Sequence, residues 1–196
     1  MNTRRRFTLV EVLVACGIIA LLAGIGFAGY RFAMDSSRES ATKSTIHQLA
    51  TALETCYNKY GFYPAASAGS EIIFTFDSDD KLTKIEFGGT TLNVPATAAK
   101  KKEMEGKYTM LLVNTLDVES IKKSSNIDGK KYTVADSWGN KIYYCYPGKV
   151  NTTKFDLVSA GVDGEFGSNG ADSPAGLTKS DYIDGKDWLC DDIANF

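Results

Sequence analysis

An uncharged apolar run near the N-terminus constrains this chain more than any other feature. The run extends from Val12 to Tyr30, and its 19 residues come close to the ~20 that a helix needs to cross the hydrocarbon core of a bilayer. Three consecutive arginines, Arg4 to Arg6, precede it, and basic residues favour the cytoplasmic side of a membrane. The sequence therefore predicts a single-pass membrane protein whose remaining residues lie on the far side of the membrane.

The composition is that of a globular protein joined to this segment. Of 196 residues, 43% are hydrophobic and 23% are charged, which excludes a disordered or collagen-like chain. The 22 Lys and Arg residues nearly balance the 24 Asp and Glu residues, and no RNA-binding or zinc-finger spacing is present, so nucleic acid is not an expected partner. Because His47 is the single histidine and no Ser/His/Asp or Cys-x-x-Cys group is present, we expect no enzymatic activity.

Two other kinds of N-terminal segment share part of this pattern. A cleaved secretory signal has an apolar core of about 7 to 15 residues before a small-x-small site, whereas this run is longer and ends at Tyr30. Residues 13–16 resemble a bacterial lipoprotein cleavage box with Cys16 as the lipidated residue, but Glu11 interrupts the short segment before it. Both alternatives are less favoured than a retained membrane helix.

A carboxylate at the start of the membrane segment indicates function. A charged side chain within a membrane helix costs at least ~2.5 kcal/mol, so Glu11 is expected to have a positively charged partner. With the basic leader 1–6, the stretch Phe-Thr-Leu-Val-Glu at residues 7–11 resembles the type IV pilin superfamily. The resemblance implies that a prepilin peptidase cuts between Arg6 and Phe7, that the new amine of Phe7 is N-methylated, and that Glu11 pairs with the N-terminal amine of a neighbouring subunit. The chain departs from the family at Arg6, where the family has glycine, and a plain membrane anchor with an incidental acidic residue is the alternative.

Helical periodicity continues beyond the apolar run. Apolar residues recur at three- and four-residue steps, at Ile46, Leu49, Ala50, Leu53, Tyr57 and Tyr60. The pattern predicts one helix over residues 7–60, roughly 80 Å long at 1.5 Å per residue, with a membrane and assembly half over 7–30 and an amphipathic half over 31–60. Gly61 and Pro64 are expected to end it.

Residues 61–196 are expected to form a globular head, divided into a variable region, 65–131, and a C-terminal sheet and loop, 132–196. Residues 98–123 read as one or two helices. The sequence predicts four antiparallel strands, at 71–76, 82–87, 141–146 and 154–159. The first two are expected to form a hairpin at the edge of the sheet. The predicted fold class is therefore α+β, pilin-like, with a long N-terminal helix packed on a small antiparallel sheet.

Two motifs in the head narrow the resemblance. The stretch Asp-Ser-Trp-Gly-Asn at residues 136–140, and the Gly-rich stretch at 155–164, resemble a turn and a loop in the major pseudopilins of type II secretion systems, where proline stands in place of Ser137. That resemblance implies a helical filament, the pseudopilus, built from identical subunits. Its further partners would be minor pseudopilins, the prepilin peptidase and an inner-membrane assembly platform, with the head in the bacterial periplasm or outside the cell.

A Gly-rich C-terminal loop, residues 158–173, overlaps the second motif and carries oxygen donors suited to Ca²⁺. Its side-chain donors are Asp163, Glu165, Asn169 and Asp172. By resemblance to the major pseudopilins, the ligands would be the side chains of Asp163 and Asp172 and the backbone carbonyl of Ala160, with Asn169 as a further candidate. The loop is not an EF-hand, because the twelfth position counted from Asp163 is Pro174, where an EF-hand needs a glutamate. A solvated acidic turn is the alternative interpretation.

Three cysteines of the exported part are candidates for a disulfide bond. Cys56, Cys145 and Cys190 would lie in an oxidising compartment, where three pairings are possible and one thiol remains. Because strands are expected near the C-terminus, we favour a disulfide between Cys145 and Cys190.

The sequence is thus interpreted as that of a structural subunit of a type II secretion-like pseudopilus. A minor pseudopilin, or a type IV pilin used for adhesion or DNA uptake, is an alternative within the same superfamily. A membrane-tethered binding module that forms no filament is an alternative of a different class.

Overall fold

The structure is a computed structural model, and it describes residues 8–94, 103–118, 121, 127–167, 170–176 and 193–195. The chain divides into two compact units at the boundary between Ser37 and Arg38. The described part of the first unit is helical, and the second unit contains the sheet and the core.

Helix α1 extends over Leu9–Tyr60, 52 residues without a break, as the sequence periodicity predicted. In the first unit its large apolar side chains, from Leu9 to Phe32, are each between 53% and 81% exposed. The helix includes a stretch that is long and apolar enough to cross a membrane, and none of that stretch is buried within the protein. The length and composition of α1 therefore agree with the predicted membrane segment.

The predicted end of the helix is also confirmed. Gly61 has a φ of +77°, which glycine adopts readily because it lacks a Cβ atom. Its N–H donates a hydrogen bond to the carbonyl of Tyr57, 2.7 Å away. This left-handed cap satisfies one of the last carbonyls of α1 and turns the chain into the head.

The head is built on an antiparallel sheet. Its described strands are β1 (Ala66–Phe76), β2 (Leu82–Phe87), β3 (Thr90–Asn93), β4 (Lys131–Thr133), β5 (Ile142–Tyr146), β6 (Asp156–Ser159) and β7 (Ile193–Ala194). Helix α2 covers Glu103–Thr115, within the predicted helical region, and a short 3₁₀ helix covers Pro174–Gly176. The strand order is β3-β2-β1-β5-β6-β7, and β4 also pairs with β1.

The hairpin of β1 and β2 forms as predicted, but its position at the sheet edge was wrong. Strand β1 lies inside the sheet, since Ile73 pairs with Glu86 of β2 on one side and with Thr133 of β4 on the other. Strand β5 pairs with an earlier part of β1, where Glu71 lies opposite Tyr143. The five residues from Ala66 to Ser70 are small or polar and show no apolar alternation, so the sequence indicated only the second half of this 11-residue strand.

The core lies between the sheet and the two helices of the second unit. Helix α1 contributes Ile46, Leu49, Ala52, Leu53 and Cys56, and α2 contributes Tyr108 and Leu112. These side chains pack with buried residues of β1 and β5 in one cluster, which confirms the α+β fold class. Tyr57, which the sequence placed in the buried stripe of α1, is 41% exposed, because the buried face follows positions 49, 52, 53 and 56 instead.

Candidate functional site: the N-terminal helix and the C-terminal loop

The first turn of α1 is closed by Thr8 and Glu11. The N–H and hydroxyl of Thr8 donate to Oε2 of Glu11 at 2.8 and 2.9 Å, and the Glu11 N–H donates back to Oγ1 of Thr8 at 3.3 Å. This reciprocal arrangement is a capping box, which satisfies backbone donors at the start of a helix. Thr8 was not selected from the sequence, although its Thr-x-x-Glu spacing is the signal for this motif.

The capping box orients Glu11 without saturating it. An ionised carboxylate offers about four acceptor positions, so the two bonds from Thr8 leave capacity for a cation. Arg6 and Phe7 lie outside the described residues. Cleavage between them, N-methylation of Phe7, and pairing of Glu11 with a neighbouring amine therefore stay predictions.

The second part of the candidate site is the turn at residues 136–140. The Asp136 carboxylate is 6% exposed, and its Oδ1 accepts the N–H groups of Trp138 and Asn140 at 2.9 and 2.8 Å. Its Oδ2 accepts the hydroxyl of the buried Ser159 at 2.7 Å. Gly139 has a φ of +97°, a conformation that a residue with a side chain rarely adopts. Asp136 therefore fixes the turn internally and ties it to the end of β6.

The same turn contacts two other parts of the head. The Asn140 side-chain amide donates to the carbonyl of Gly161 in the C-terminal loop at 2.7 Å. The Ser137 N–H donates to Oγ1 of Thr42 on α1 at 3.1 Å, and Thr42 is fully buried. The turn therefore joins α1 to the C-terminal loop, a role that the sequence alone did not indicate for Thr42.

The C-terminal loop has a defined path where it is described. Phe166 and Ala171 exchange two backbone hydrogen bonds, of 2.7 and 2.9 Å. The Phe166 ring packs edge-on against Tyr143 of β5, with 5.4 Å between the ring centroids. Phe166 also lies in a small apolar cluster with Val158 and Ala160. The loop is thus anchored on the sheet rather than loosely attached to it.

The predicted calcium site is described only in part. Asp163 and Asp172 are both exposed, and Oδ1 of Asp163 accepts the Glu165 N–H at 2.9 Å. Within the described ranges, no three His, Cys, Asp or Glu side chains are grouped so that they could hold a metal ion. Asn169 lies outside those ranges. The described carboxylates do not form a ligand set by themselves, so an ion would need backbone carbonyls such as that of Ala160, and calcium binding stays a prediction.

The cysteines fall in different environments. Cys56 is fully buried in the core, and burial raises the pKa of its thiol to about 11. Cys145 is also buried, and its thiol donates to the carbonyl of Pro147 at 3.1 Å. Cys190 lies outside the described residues, so the pairing with Cys145 stays a prediction.

An open polar groove of about 750 Å³ runs beside α1 in the head. His47 and Thr51 of α1 line one wall, and Asn151 of the loop before β6 lines the other. Lys154 and Glu54 form an ion pair in this groove at 2.8 Å, and that hydrogen bond raises the pKa of the Lys154 ammonium. Among the described residues that line the groove, Glu54 provides the only carboxylate, and it is paired with Lys154. The groove therefore does not resemble a site for acid–base catalysis.

Models of known protein families match two parts of the chain. The family model described as the prokaryotic N-terminal methylation motif matches residues 3–27, which include the segment 7–11. The family model described as type II secretion system protein G matches residues 111–177, which include the turn at 136–140 and the C-terminal loop. These matches confirm the resemblance that the sequence motifs indicated.

A curated relative agrees with the two family models. The Prepilin peptidase-dependent protein D of Escherichia coli (strain K12) is 33% identical over 70 residues, which cover 36% of this chain and 48% of that protein. The chain therefore spans about half the length of this relative. No solved structure matches the chain at a significant level.

Proposed function

We propose that this chain is a structural subunit of a type II secretion-like pseudopilus. The matches to the N-terminal methylation motif and to type II secretion system protein G support this proposal. The observation that carries the proposal is the surface of α1. The methylation motif coincides with a helix whose large apolar side chains are at least 53% exposed from Leu9 to Phe32. An exposed apolar surface of this size indicates an interaction site, which lipid covers before assembly and neighbouring helices cover in a filament.

The proposed activity is assembly, not catalysis. The chain is inserted in the bacterial inner membrane as a single-pass protein, with its head in the periplasm or outside the cell. Prepilin peptidase removes residues 1–6, and the assembly platform adds the mature subunit to a filament that also contains minor pseudopilins. Because Arg6 stands in place of glycine, the peptidase must accept a residue with a long side chain. Mass spectrometry of the mature protein should find N-methylated Phe7 at its N-terminus, and an intact leader would contradict this proposal.

Glu11→Ala tests the assembly step. We expect the variant to enter the membrane but to form no filaments, because the carboxylate that pairs with a neighbouring amine is absent. The measurement is the amount of protein in membrane fractions and in sheared filament fractions. Val12→Ala is the matched control, since it shortens the adjacent side chain and removes no charge. Normal filament yield from Glu11→Ala would contradict the pairing.

Calcium binding by the C-terminal loop is a second part of the proposal. Ca²⁺ prefers oxygen ligands, and an ion at Asp163, Asp172 and the Ala160 carbonyl would draw the two exposed carboxylates together. An ion that binds only the folded state stabilises it by about 2.7 kcal/mol at a hundredfold excess over Kd. The full chain in mild detergent should therefore melt at a higher temperature in millimolar Ca²⁺ than in chelator, and Mg²⁺ should have a smaller effect.

Two variants make the calcium test specific. Asp163→Ala should abolish the difference between calcium and chelator, whereas Asp79→Ala, which removes an exposed carboxylate from the loop between β1 and β2, should retain it. A wild-type melting temperature that does not respond to Ca²⁺ would show that the C-terminal loop is only a turn.

A membrane-tethered binding module is the second candidate function. The polar groove beside α1 favours it, because the groove presents both donors and acceptors to solvent. A mature protein that retains residues 1–6 and yields no polymer in sheared fractions would support this candidate over the filament subunit.

A further inference from the structure

We propose that four residues at the end of the apolar run, Phe27, Tyr30, Arg31 and Phe32, form a collar that docks in the headgroup region of the outer face of the phospholipid bilayer. The aromatic side chains of the collar are exposed, Phe27 by 63%, Tyr30 by 62% and Phe32 by 79%. The Arg31 guanidinium lies over the Phe27 ring, 5.5 Å from its centroid. The proposal rests on the membrane insertion that the proposed function requires.

The chemistry of the collar matches one layer of a membrane. Aromatic residues with a polar tip are enriched where hydrocarbon meets headgroups, and Tyr30 is of this kind. Arginine buries its aliphatic stem against apolar surface while its charged group contacts water or phosphate. Arg31 is the first charged residue after Glu11, so the collar coincides with the position where the uncharged run ends. Beyond it, Asp35 and Arg38 mark a surface suited to water.

The spacing along α1 places the cytoplasmic boundary of the membrane segment. Glu11 and Tyr30 are 19 residues apart on one unbroken helix, roughly 29 Å at 1.5 Å per residue. The hydrocarbon core of a bilayer is about 30 Å thick. When the collar lies at the outer interface, Glu11 therefore lies at the cytoplasmic interface, where its carboxylate remains hydrated. The charge of Glu11 would then be removed from water only when subunits assemble, not when the chain inserts.

Labelling of single cysteines in membranes can locate both boundaries. Full-length chains carrying Cys16→Ser and Cys190→Ser receive one new cysteine each, in cells without the assembly platform, so that the subunit stays in the membrane. A membrane-impermeant maleimide should label Ser37→Cys from outside and Val10→Cys from the cytoplasmic side. Leu21→Cys should react at less than one-tenth of either rate from both sides. The parent chain, which retains the buried Cys56 and Cys145, gives the background.

A second set of variants tests whether the collar sets the position of the helix. When Tyr30, Arg31 and Phe32 are all replaced by leucine, the apolar run lengthens and the helix can move toward the cytoplasm. Labelling of a Met34→Cys reporter from outside should then fall at least fivefold. Replacement of Ile18, Ile19 and Ile25 by leucine is the matched control, and it should leave the reporter unchanged, because these residues lie within the uncharged run.

The outcomes separate this proposal from the proposed function. Shielding of Val10→Cys from both sides, or unchanged Met34→Cys labelling in the triple leucine variant, would overturn the collar while the chain remains in the membrane. Recovery of the chain in the soluble fraction would overturn the collar and the membrane insertion together. A filament defect alone would not alter any of these labelling rates, so it would bear only on the proposed function.

Discussion

Replacing Asp136 with alanine tests whether the turn at 136–140 holds the head together. The substitution removes the acceptor of three hydrogen bonds, two from backbone N–H groups and one from the hydroxyl of Ser159. Ser159 has no solvent exposure, so its hydroxyl would lose its carboxylate acceptor inside the protein. Each hydrogen bond to a charged group contributes about 1.5 to 3 kcal/mol, and the two turn N–H groups can be partly rehydrated. We therefore expect a loss of about 3 to 5 kcal/mol.

The expected loss is large enough to measure by thermal unfolding. For a protein of this size, 1 kcal/mol corresponds to about 2 to 4 °C in Tm, so Asp136→Ala should melt about 10 °C below the wild type. The assay is tryptophan fluorescence of the full chain in mild detergent with chelator present, which removes any contribution of calcium. Asp136→Asn should lie between the two, because its amide oxygen can still accept the turn N–H groups.

Asp163→Ala is the matched control for this experiment. Asp163 is also an aspartate that accepts a backbone N–H, but it is exposed, and exposed substitutions change stability by about 0.5 kcal/mol. Its melting temperature in chelator should lie within about 2 °C of the wild type. An Asp136→Ala protein that melts as high as this control would refute the view that the turn stabilises the head.

Two further predictions concern α1. Thr42→Val removes the acceptor of the Ser137 N–H, so it should lower the free energy of unfolding by about 1 kcal/mol and speed hydrogen exchange at the Ser137 amide. Ser137→Pro removes the donor of the same hydrogen bond. In a double-mutant cycle measured by thermal unfolding, the double variant should therefore lose less stability than the sum of the two single variants. The Cys56 pKa of about 11 lies above the usual value of 9.0, so an unfolded thiol loses its proton first and stability should fall between pH 9 and pH 11. Denaturant midpoints across that range should fall less steeply in Cys56→Ser, and native Cys56 should react with iodoacetamide at pH 8 far more slowly than the same thiol does after unfolding in denaturant.

Sequence periodicity predicted the helix α1 and the segments that form strands, because these elements depend on neighbouring residues along the chain. Helix α1 carries a sustained apolar pattern and a glycine stop, and both its continuity and its end at Tyr60 are observed. Strands β5 and β6 were predicted as antiparallel strands, and they pair with each other in that way, although all four residues of β6 are buried and do not alternate in exposure. Strand β1 was assigned to the edge because the pairing partners of a strand are set by the rest of the sheet. A sequence pattern shows that a segment can be a strand, but not how many neighbours it has.

The candidate site shows the same limit. The stretches at 7–11 and 136–140 were identified because each is a short motif in which every residue is local. Thr42 was missed because its partner, Ser137, is 95 residues away along the chain. Thr42 itself lies on α1 among residues that are mostly polar and exposed, so nothing in its neighbourhood marks it as buried.

The contact between Thr42 and Ser137 gives a physical meaning to the one residue of the turn that departs from the pseudopilin pattern. Proline has no N–H, so a turn with proline at position 137 could not donate a hydrogen bond there. Ser137 supplies that donor, and it reaches the buried hydroxyl oxygen of Thr42 on α1. The remaining motif residues keep their roles, since Asp136 still closes the turn and Asn140 still binds the carbonyl of Gly161. The Ser137 N–H therefore links the turn directly to α1, so the helix, the turn and the C-terminal loop are joined by consecutive hydrogen bonds.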